Sequence, residues 1–343
     1  MSDPPAAFFR ERLRSGPPLV LDAALGTDLL ARGARLPAPL WSAQALLDAP
    51  DLVEAVHREN AEAGADVLTI ASFRLHGRNV RESSCSLSQR ELIERAVNAA
   101  RRATSESPSK VNMEEAAAPP ASPQQGRRAG RPTGGATRSS GKIPGSVSIA
   151  GSLAPLEDCY RPDRVPKQED ILLSEHSEMA AALAAAGVDL VLVETMNTVR
   201  EAVAAARAAA ATGLPTVVSC VTDGAGRLLS GERVEDFARA LLALPSPPSA
   251  LGINCVAARA LGADLARLAA AAPGVPLAAY GNAFGDRVPP EEYAALALGW
   301  IRGGAGLAGG CCGTTAAHTR AVAGRVRGNT PGSSSRGASG PGA

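Results

Sequence analysis

Three of the six cysteines in the 343-residue chain have a spacing that could do chemistry. Cys311 and Cys312 are adjacent in the glycine-rich stretch 307–315, LAGGCCGTT, and Cys255 ends the apolar stretch 250–255, ALGINC. Thiolates are soft ligands for Zn2+, and three protein ligands leave the fourth tetrahedral position for a substrate. The flanking glycines let the backbone bend, so that two neighbouring thiols can face one metal ion. These residues predict a catalytic zinc site.

Such a site suits a substrate that carries a thiol. A free thiol has a pKa of about 8.5 and is mostly protonated at neutral pH, whereas a thiol that binds zinc is deprotonated. Asp22 and Glu194 end two further apolar stretches, and a pair of carboxylates there would hold an ammonium group. The predicted substrate class is therefore an amino acid with a thiol, whose sulfur attacks a carbon electrophile.

Short apolar stretches alternate with longer Ala- and Leu-rich stretches along the chain. The short ones are continuously apolar, as strands buried on both faces of a parallel sheet are. The strand candidates are 18–23, 66–72, 146–152, 189–195, 216–222, 250–255, 276–282 and 306–311. The helix candidates are 51–64, 88–103, 169–187, 199–212, 232–244, 257–272, 290–303 and 315–326. Ser88 and Glu91 form a capping-box pattern at the start of the second of these helices.

Eight strands that alternate with eight helices predict a single-domain (β/α)8 TIM barrel of the α/β class. An open doubly wound sheet is the alternative fold, which is weakened because no Gly-x-Gly-x-x-Gly follows the first strand. The carboxyl ends of barrel strands share one face, where active sites collect. The residues at the predicted strand ends include Asp22, Ser72, Glu194, Cys255, Cys311 and Cys312. The barrel would bring all of them to one rim.

Six stretches of the chain resemble the homocysteine S-methyltransferase family, over nearly the whole length apart from 104–145 and the two ends. They are LDAALGTDLLARG (21–33), HRENAEAGADVLTIASF (57–73), AGSLAPLEDCYRPD (150–163), GVDLVLVETMNT (187–198), GINC (252–255) and GGCCGTT (309–315). The resemblance implies a (β/α)8 barrel that transfers a methyl group to the thiol of L-homocysteine and so makes methionine. The standalone, zinc-dependent type that uses S-methylmethionine is the nearest match.

The resemblance also implies roles for individual residues. The zinc ligands would be Cys255, Cys311 and Cys312. Asp22 and Glu194 would hold the amino group of homocysteine. Thr27 and Ser72 lie in matching motifs and would help to bind its carboxylate.

The methyl donor stays open between S-methylmethionine, S-adenosylmethionine and betaine. S-methylmethionine is favoured because the third-strand motif resembles the standalone group. The chain is too short for the cobalamin and folate domains of the large methionine synthases. A sulfonium or quaternary ammonium donor would favour aromatic walls through cation–π attraction. Aromatic residues near the predicted rim are Trp41, Phe73, Tyr160, Tyr280 and Phe284.

Other interpretations compete with this one. The family usually has Asp-Gly at the end of the first strand, whereas Ala23 follows Asp22 here, and its methyl group could hinder a close approach to the backbone. A catalytically disabled relative that binds zinc or an amino acid is therefore an alternative function. An aldolase-like barrel that binds phosphate is a third, but it needs a lysine at a strand end. Locally, the adjacent cysteines could form a vicinal disulfide, and Asp22 could be a helix cap.

The composition of the chain indicates which partners and which cellular compartment are expected. Lys and Arg number 35 against 34 Asp and Glu, so charge gives no case for nucleic acid or an anionic membrane as a partner. No apolar run reaches the ~18 residues of a membrane helix, and the first residues lack the pattern of a signal peptide. Few, irregular cysteines favour a reduced, cytoplasmic protein. The sequence does not indicate an oligomeric state.

The remaining predictions concern segments and unassigned side chains. Residues 1–16 are an N-terminal extension, and the barrel spans 17–327. The Gly-, Pro- and Ser-rich segments 104–145 and 328–343 are predicted to be disordered. Buried, small and apolar environments are predicted for Cys85, Cys159 and Cys220. Packed or solvated helical positions are predicted for His57 and His176.

Overall fold

The computed structural model describes residues 4–105, 147–285 and 287–328. The strands are β1 Leu19–Val20, β2 Val67–Thr69, β3 Ser148–Leu153, β4 Leu190–Met196, β5 Thr216–Cys220, β6 Ala250–Ala257, β7 Leu277–Asn282 and β8 Ala305–Gly310. The helices are α1 Pro4–Ser15, α2 Leu25–Ala31, α3 Ala45–Asp48, α4 Pro50–Ala63, α5 Gly77–Glu82, α6 Gln89–Thr104, α7 Glu169–Ala185, α8 Val199–Ala210, α9 Val234–Leu242, α10 Ala258–Ala271, α11 Pro290–Arg302 and α12 Ala316–Gly328. The segments predicted to be disordered lie outside the described residues, except at their borders.

The strands form one parallel sheet in the order β1-β8-β7-β6-β5-β4-β3-β2. A parallel bridge between Leu21 and Val67 joins the two edges of this sheet. The backbone N–H of Asp22 donates to the carbonyl oxygen of Val67 at 3.0 Å across the same seam. The sheet is therefore a barrel surrounded by helices, and the predicted (β/α)8 fold is confirmed.

Long helices between the strands cover the outside of the barrel, as the alternation predicts. In α6 the Ser88 hydroxyl accepts from the Glu91 N–H at 3.3 Å, and the Glu91 carboxylate accepts from the Ser88 N–H at 2.8 Å, so the capping box forms. The short helices α2, α3 and α5 lie in the loops after β1 and β2 and were not predicted. They add a wall to the carboxyl-end face of the barrel.

Helix α1 covers the amino end of the barrel, where the sequence predicted only an extension. Phe9 and Leu13 are buried in a cluster with residues from the barrel interior. That cluster contains Leu19, Leu21, Val67, Ala150, Leu190, Leu192, Val217, Ala250, Ala278, Tyr280 and Leu307. The apolar side of α1 therefore closes one end of the barrel and leaves the other end open. Within the described ranges, no helix is long and apolar enough to span a membrane.

Candidate functional site

A cavity of about 470 Å³ opens at the carboxyl ends of the strands. It is lined by strand ends and by the loops that follow β1, β2 and β3. The lining includes the predicted site residues Asp22, Thr27, Glu194, Cys255, Cys311 and Cys312. The structure therefore brings together six side chains from four stretches that are far apart in the sequence.

The three predicted zinc ligands form a compact cluster. The sulfur atoms of Cys255, Cys311 and Cys312 all lie within 4.8 Å of one another, and the Cys255 and Cys312 sulfurs are 3.9 Å apart. Sulfurs at two corners of a tetrahedron with Zn–S bonds of ~2.3 Å are about 3.8 Å apart. All six cysteines are free, so the adjacent pair forms no vicinal disulfide. The spacing and the soft donor set fit a metal ion such as zinc.

Backbone conformations at the ends of β6 and β4, the strands on either side of β5, position Cys255 and Glu194. Cys255 and Thr195 have φ angles of 57° and 61°, in the left-handed region that side chains other than glycine rarely occupy. The pairing register of β4 and of β6 shifts at these points. Asn254 holds both turns: its amide oxygen accepts from the Thr195 N–H, and its amide nitrogen donates to the Thr195 hydroxyl, each at 2.8 Å. Such strain persists only where surrounding contacts enforce it, as they do at functional sites.

A tight turn after β8 presents the adjacent cysteines. The carbonyl oxygen of Cys311 accepts from the N–H and the hydroxyl of Thr314, at 3.0 and 2.7 Å. Gly313 has a φ of 82°, which favours glycine. A Cβ at Gly310 would lie 2.2 Å from the Thr314 hydroxyl oxygen, which leaves no room for a larger residue. The glycines therefore allow the bend that the sequence predicts around this pair.

Hydrogen bonds within the thiol cluster favour one thiolate. The thiols of Cys311 and Cys312 hold the pKa of Cys255 well below its usual value, because they stabilise its negative charge. The same contacts raise the pKa of Cys311. The Tyr160 hydroxyl lies 3.0 Å from the Cys255 sulfur, and burial together with the nearby thiolate raises the pKa of Tyr160. These shifts favour the Tyr160 hydroxyl as the donor and the Cys255 sulfur as the acceptor of this contact.

Two buried carboxyl groups lie beside the thiols. Asp22 accepts from the N–H and the hydroxyl of Thr69 at 2.8 and 3.0 Å, and Glu194 accepts from the Ser152 hydroxyl. Burial raises the pKa of Asp22 to about 8 and that of Glu194 to about 7, against the opposing effect of these hydrogen bonds. Buried carboxylates need a positive partner. A bound ammonium group would supply it to both.

Asp22 does not cap the helix that follows it. Helix α2 begins at Leu25, and its N-cap is Ala24, which makes no side-chain cap hydrogen bond. The carboxylate of Asp22 instead faces Thr69 at the end of β2. The helix-cap interpretation of Asp22 is therefore wrong.

The two residues predicted to bind a carboxylate differ in position. Thr27 lines the cavity, and its hydroxyl oxygen accepts from the Gly313 N–H at 2.9 Å, which joins α2 to the turn of the adjacent cysteines. Ser72 is fully buried, and its hydroxyl donates to the Ser152 carbonyl oxygen and accepts from the Ser152 N–H, each at 2.9 Å. Ser72 lies outside the cavity lining and joins β3 to the loop after β2.

Sequence reasoning missed several residues of the cavity. Ser152 and Thr69, which bond the two carboxyl groups, lie on strands that were read only as apolar. Arg74 and Asp158 also line the cavity: Arg74 follows the stretch 57–73, and Asp158 lies within the stretch 150–163 but was given no role there. Tyr160 was considered only as a wall for the donor, yet its hydroxyl contacts a thiol. An assignment of side chains to strand faces could have found Thr69, whereas the loop residues had no such signal.

The remaining cysteines and histidines follow the predictions in part. Cys220 is buried, as predicted, but Cys85 is only half-buried, and Cys159 lines the cavity. His57 and His176 are buried on their helices and lie outside the cavity lining. The prediction of packed helical positions holds for both histidines.

Comparisons with known proteins identify the family of the chain. A model of the homocysteine S-methyltransferase family matches residues 19–326. Homocysteine S-methyltransferase 4 of Zea mays is 30% identical over 339 residues, which cover 93% of this chain and 92% of that protein. The homocysteine S-methyltransferase of Escherichia coli (strain K12) is 29% identical, over 90% of this chain and 94% of that protein. A selenocysteine methyltransferase of Astragalus bisulcatus is 27% identical, over 90% and 92%.

A solved structure extends the likeness to three dimensions. The crystal structure of the homocysteine methyltransferase MmuM from Escherichia coli, in its metallated form, matches with a TM-score of 0.71 and 27% identity, over 92% of this chain and 99% of that chain. The family model covers almost all of the described barrel, and the relatives are matched over nearly their full length. The chain therefore belongs to the homocysteine S-methyltransferase family of methyltransferases.

Proposed function

We propose that the protein transfers a methyl group from a small donor to the thiol of L-homocysteine, and so makes methionine. The observation that carries this proposal is a cluster of three thiols beside two buried carboxyl groups in one cavity. The cluster offers soft ligands, and the carboxyl groups offer a place for an ammonium ion. An amino acid with a thiol is complementary to both.

The metal is proposed to be zinc, held by Cys255, Cys311 and Cys312. When bound, zinc lowers the pKa of the substrate thiol, so that its sulfur is a nucleophile at neutral pH. Three thiolate ligands suit zinc better than harder metal ions. The Tyr160 hydroxyl donates to Cys255 and restrains its orientation, in the way that outer hydrogen bonds fix metal ligands.

The protein's own residues orient the acceptor. Asp22 and Glu194 would hold the homocysteine ammonium group, and its positive charge would favour their ionised forms despite their burial. Thr27 lies where it can help to bind the carboxylate, whereas the Ser72 hydroxyl is used within the barrel. These contacts fix the sulfur near the donor, and such proximity supplies a large part of a bimolecular rate.

The favoured donor is S-methylmethionine, with S-adenosylmethionine and betaine as the alternatives. The homocysteine thiol loses its proton to solvent, and its sulfur forms a bond to the donor methyl carbon. The bond from that carbon to the donor sulfur breaks, and its electron pair stays on the donor, which leaves as methionine. Trp41, Phe73 and Tyr160 line the cavity, where aromatic faces attract a sulfonium ion. Phe284 is exposed and lies outside the lining.

The first test is the metal content of the purified, reduced protein beside its Cys311→Ser variant, with Cys85→Ser as the control. We expect about one zinc per chain in the parent and in the control, and little in Cys311→Ser. Methionine formation from homocysteine is then measured with each donor in turn. A metal-free parent that makes no methionine with any donor would support the disabled relative instead. The cytoplasmic location remains a prediction, which agrees with the need for reduced thiols.

A further inference from the structure

The cavity contains an uneven set of charges. Asp22, Glu194 and Asp158 line it, together with the three clustered thiols. Of the lining residues in the described part of the chain, Arg74 alone has a basic side chain. Within this described lining, Arg74 is therefore the one basic side chain that can pair with the carboxylate of a ligand.

Arg74 is held in place but is largely free to bind. It lies half-buried in the loop between β2 and α5. One guanidinium nitrogen donates to the carbonyl oxygen of Glu157 at 2.9 Å. A guanidinium group has five N–H donors, and this is the only hydrogen bond of the Arg74 side chain within the described residues. Its remaining donors are available to a ligand.

Arg78 shows what a structural arginine looks like in the same region. It lies one helical turn further along the chain, and its guanidinium forms ion pairs with Glu157 and Glu175. Arg74 has no such ion pair among the described residues. The difference separates an arginine that joins two elements from one that faces the cavity with unused donors.

Asp158 provides a negative charge on the neighbouring loop. It is exposed, lines the cavity, and fixes its own loop by accepting from the Tyr160 N–H at 2.9 Å. No ion pair joins Asp158 to Arg74 in the ranges that the structure describes. A free α-amino acid has a carboxylate and an ammonium group on one carbon. Arg74 and Asp158 offer one partner for each.

We propose that Arg74 binds the α-carboxylate of the methyl donor, and that Asp158 faces its α-ammonium group. This proposal rests on the proposed function and adds the chemical class of the donor. The acceptor uses Asp22 and Glu194 beside the thiols, and the donor uses the second charge pair on the loops after β2 and β3. The cavity then selects a donor that is itself an amino acid, such as S-methylmethionine, because betaine lacks the ammonium N–H groups.

The test combines changes in the protein with changes in the donor. The variants are Arg74→Gln, Arg74→Lys and the control Arg81→Gln, since Arg81 is an exposed residue of α5 outside the cavity lining. The donors are S-methylmethionine and its carboxamide, in which the carboxylate is replaced by a neutral group. The KM for donor, the KM for homocysteine and kcat are measured for each pair. Calorimetric titration with each donor gives a Kd that needs no turnover.

For Arg74→Gln we expect the KM and Kd for S-methylmethionine to rise about 10- to 100-fold, the range for hydrogen bonds to a charged group. The carboxamide should bind weakly to the parent and almost equally to Arg74→Gln. Arg74→Lys should retain part of the affinity, because lysine keeps the charge but loses the planar fork. The KM for homocysteine and all constants of Arg81→Gln should stay within about twofold of the parent values.

Two results would overturn the proposal. A rise in the KM for homocysteine in place of that for the donor would assign Arg74 to the acceptor. Unchanged constants for both substrates in Arg74→Gln would leave it no role in binding. Failure of the proposed function is distinguishable, because a parent that makes no methionine with any donor refutes methyl transfer, while the calorimetric comparison still decides whether Arg74 binds the carboxylate.

Discussion

The two ends of the barrel are built on opposite principles. At the amino end, Phe9 and Leu13 of α1 pack on apolar side chains of the interior. At the carboxyl end, a cavity is lined with thiols and carboxyl groups, and two strand ends have left-handed backbone conformations. One end contributes burial of apolar surface, and the other contains groups whose burial costs free energy. Stability and chemistry are therefore separated along the barrel axis, and substitutions at the two ends should affect different properties of the protein.

The largest effect is expected at the thiol cluster. Cys255→Ser replaces one of the three proposed thiolate ligands with a neutral hydroxyl group. We expect loss of bound zinc and a fall in kcat/KM beyond the 10- to 100-fold typical of changes in outer partners. Metal analysis and a methionine assay measure both, and Cys220→Ser, at a buried cysteine outside the cluster, is the control for the chemical change. Full zinc content in Cys255→Ser would contradict the three-thiol site.

A change at the amino end should affect stability alone. Leu13→Ala truncates a side chain that is buried in the barrel interior, and we expect a loss of about 2 to 5 kcal/mol in the free energy of unfolding. Denaturant titration measures it, with Leu30→Ala as the control because Leu30 is 41% exposed. The KM for homocysteine should not change at temperatures where the variant is folded. A specific rise in that KM would show that the two ends are coupled.

A smaller loss of stability is expected where β8 packs closely against Leu21, near the carboxyl end of the barrel. A Cβ at Gly309 would lie 2.5 Å from both the Cβ and the carbonyl oxygen of Leu21, so Gly309→Ala forces β8 away from β1. We expect a loss of about 1 to 3 kcal/mol, as overpacking usually causes. Gly299→Ala is the matched control, since it lies in α11 with open space around it and should gain about 0.5 to 1 kcal/mol. Equal effects of the two substitutions on unfolding would refute the packing argument.

The buried carboxyl groups should make the metal-free protein less stable as pH rises. Asp22 keeps its proton up to about pH 8 in the folded protein, whereas the unfolded chain releases it near pH 4. The folded state therefore binds more protons between these values, and the free energy of unfolding falls with rising pH, by at most about 1.4 kcal/mol per pH unit. Asp22→Asn should flatten this slope, whereas Asp51→Asn, at an exposed position, should not. Identical slopes in the parent and Asp22→Asn would contradict the raised pKa.

The smallest effect is expected at Ala23, where the family pattern has glycine. The Ala23 N–H donates to the Asn60 amide oxygen at 3.0 Å, so the barrel already uses this backbone group. We expect Ala23→Gly to change the KM for homocysteine by less than about threefold. A large fall in this KM would show that the methyl group hinders the substrate, and would favour the disabled relative.

The sequence predicted the barrel because its signals are local and repeated. Continuous apolar stretches alternate with helical ones, and each strand that ends in a polar residue sends it to the same rim. The thiol cluster followed from that geometry, since Cys255 and the pair 311–312 end two strands of one sheet. These parts of the site can be predicted from the order of strands and helices alone, without any detail of side-chain packing.

The remaining parts of the site depend on contacts between loops, and the periodicity of the sequence does not reveal such contacts. Ser72 was predicted to end a strand, as Asp22 was, but it lies in the loop after β2, and its hydroxyl bonds to the backbone of Ser152 on β3. Arg74 and Tyr160 reach the cavity only through the path of the loops after β2 and β3. Helix α1 was not predicted, because its few apolar side chains are explained only by their packing on the amino end of the barrel.

The packing of α1 on the barrel also constrains how the protein is made. Helix α1 precedes every strand of the barrel in the chain, whereas Leu307, one of its partners, lies on β8, the last strand of the described barrel. The packing of α1 is therefore incomplete until almost the whole barrel has been synthesised. Cys311 and Cys312 follow β8 directly, so the three thiols can come together only after this strand has been made. The proposed metal site is therefore complete only after β8 and the turn that follows it have been synthesised.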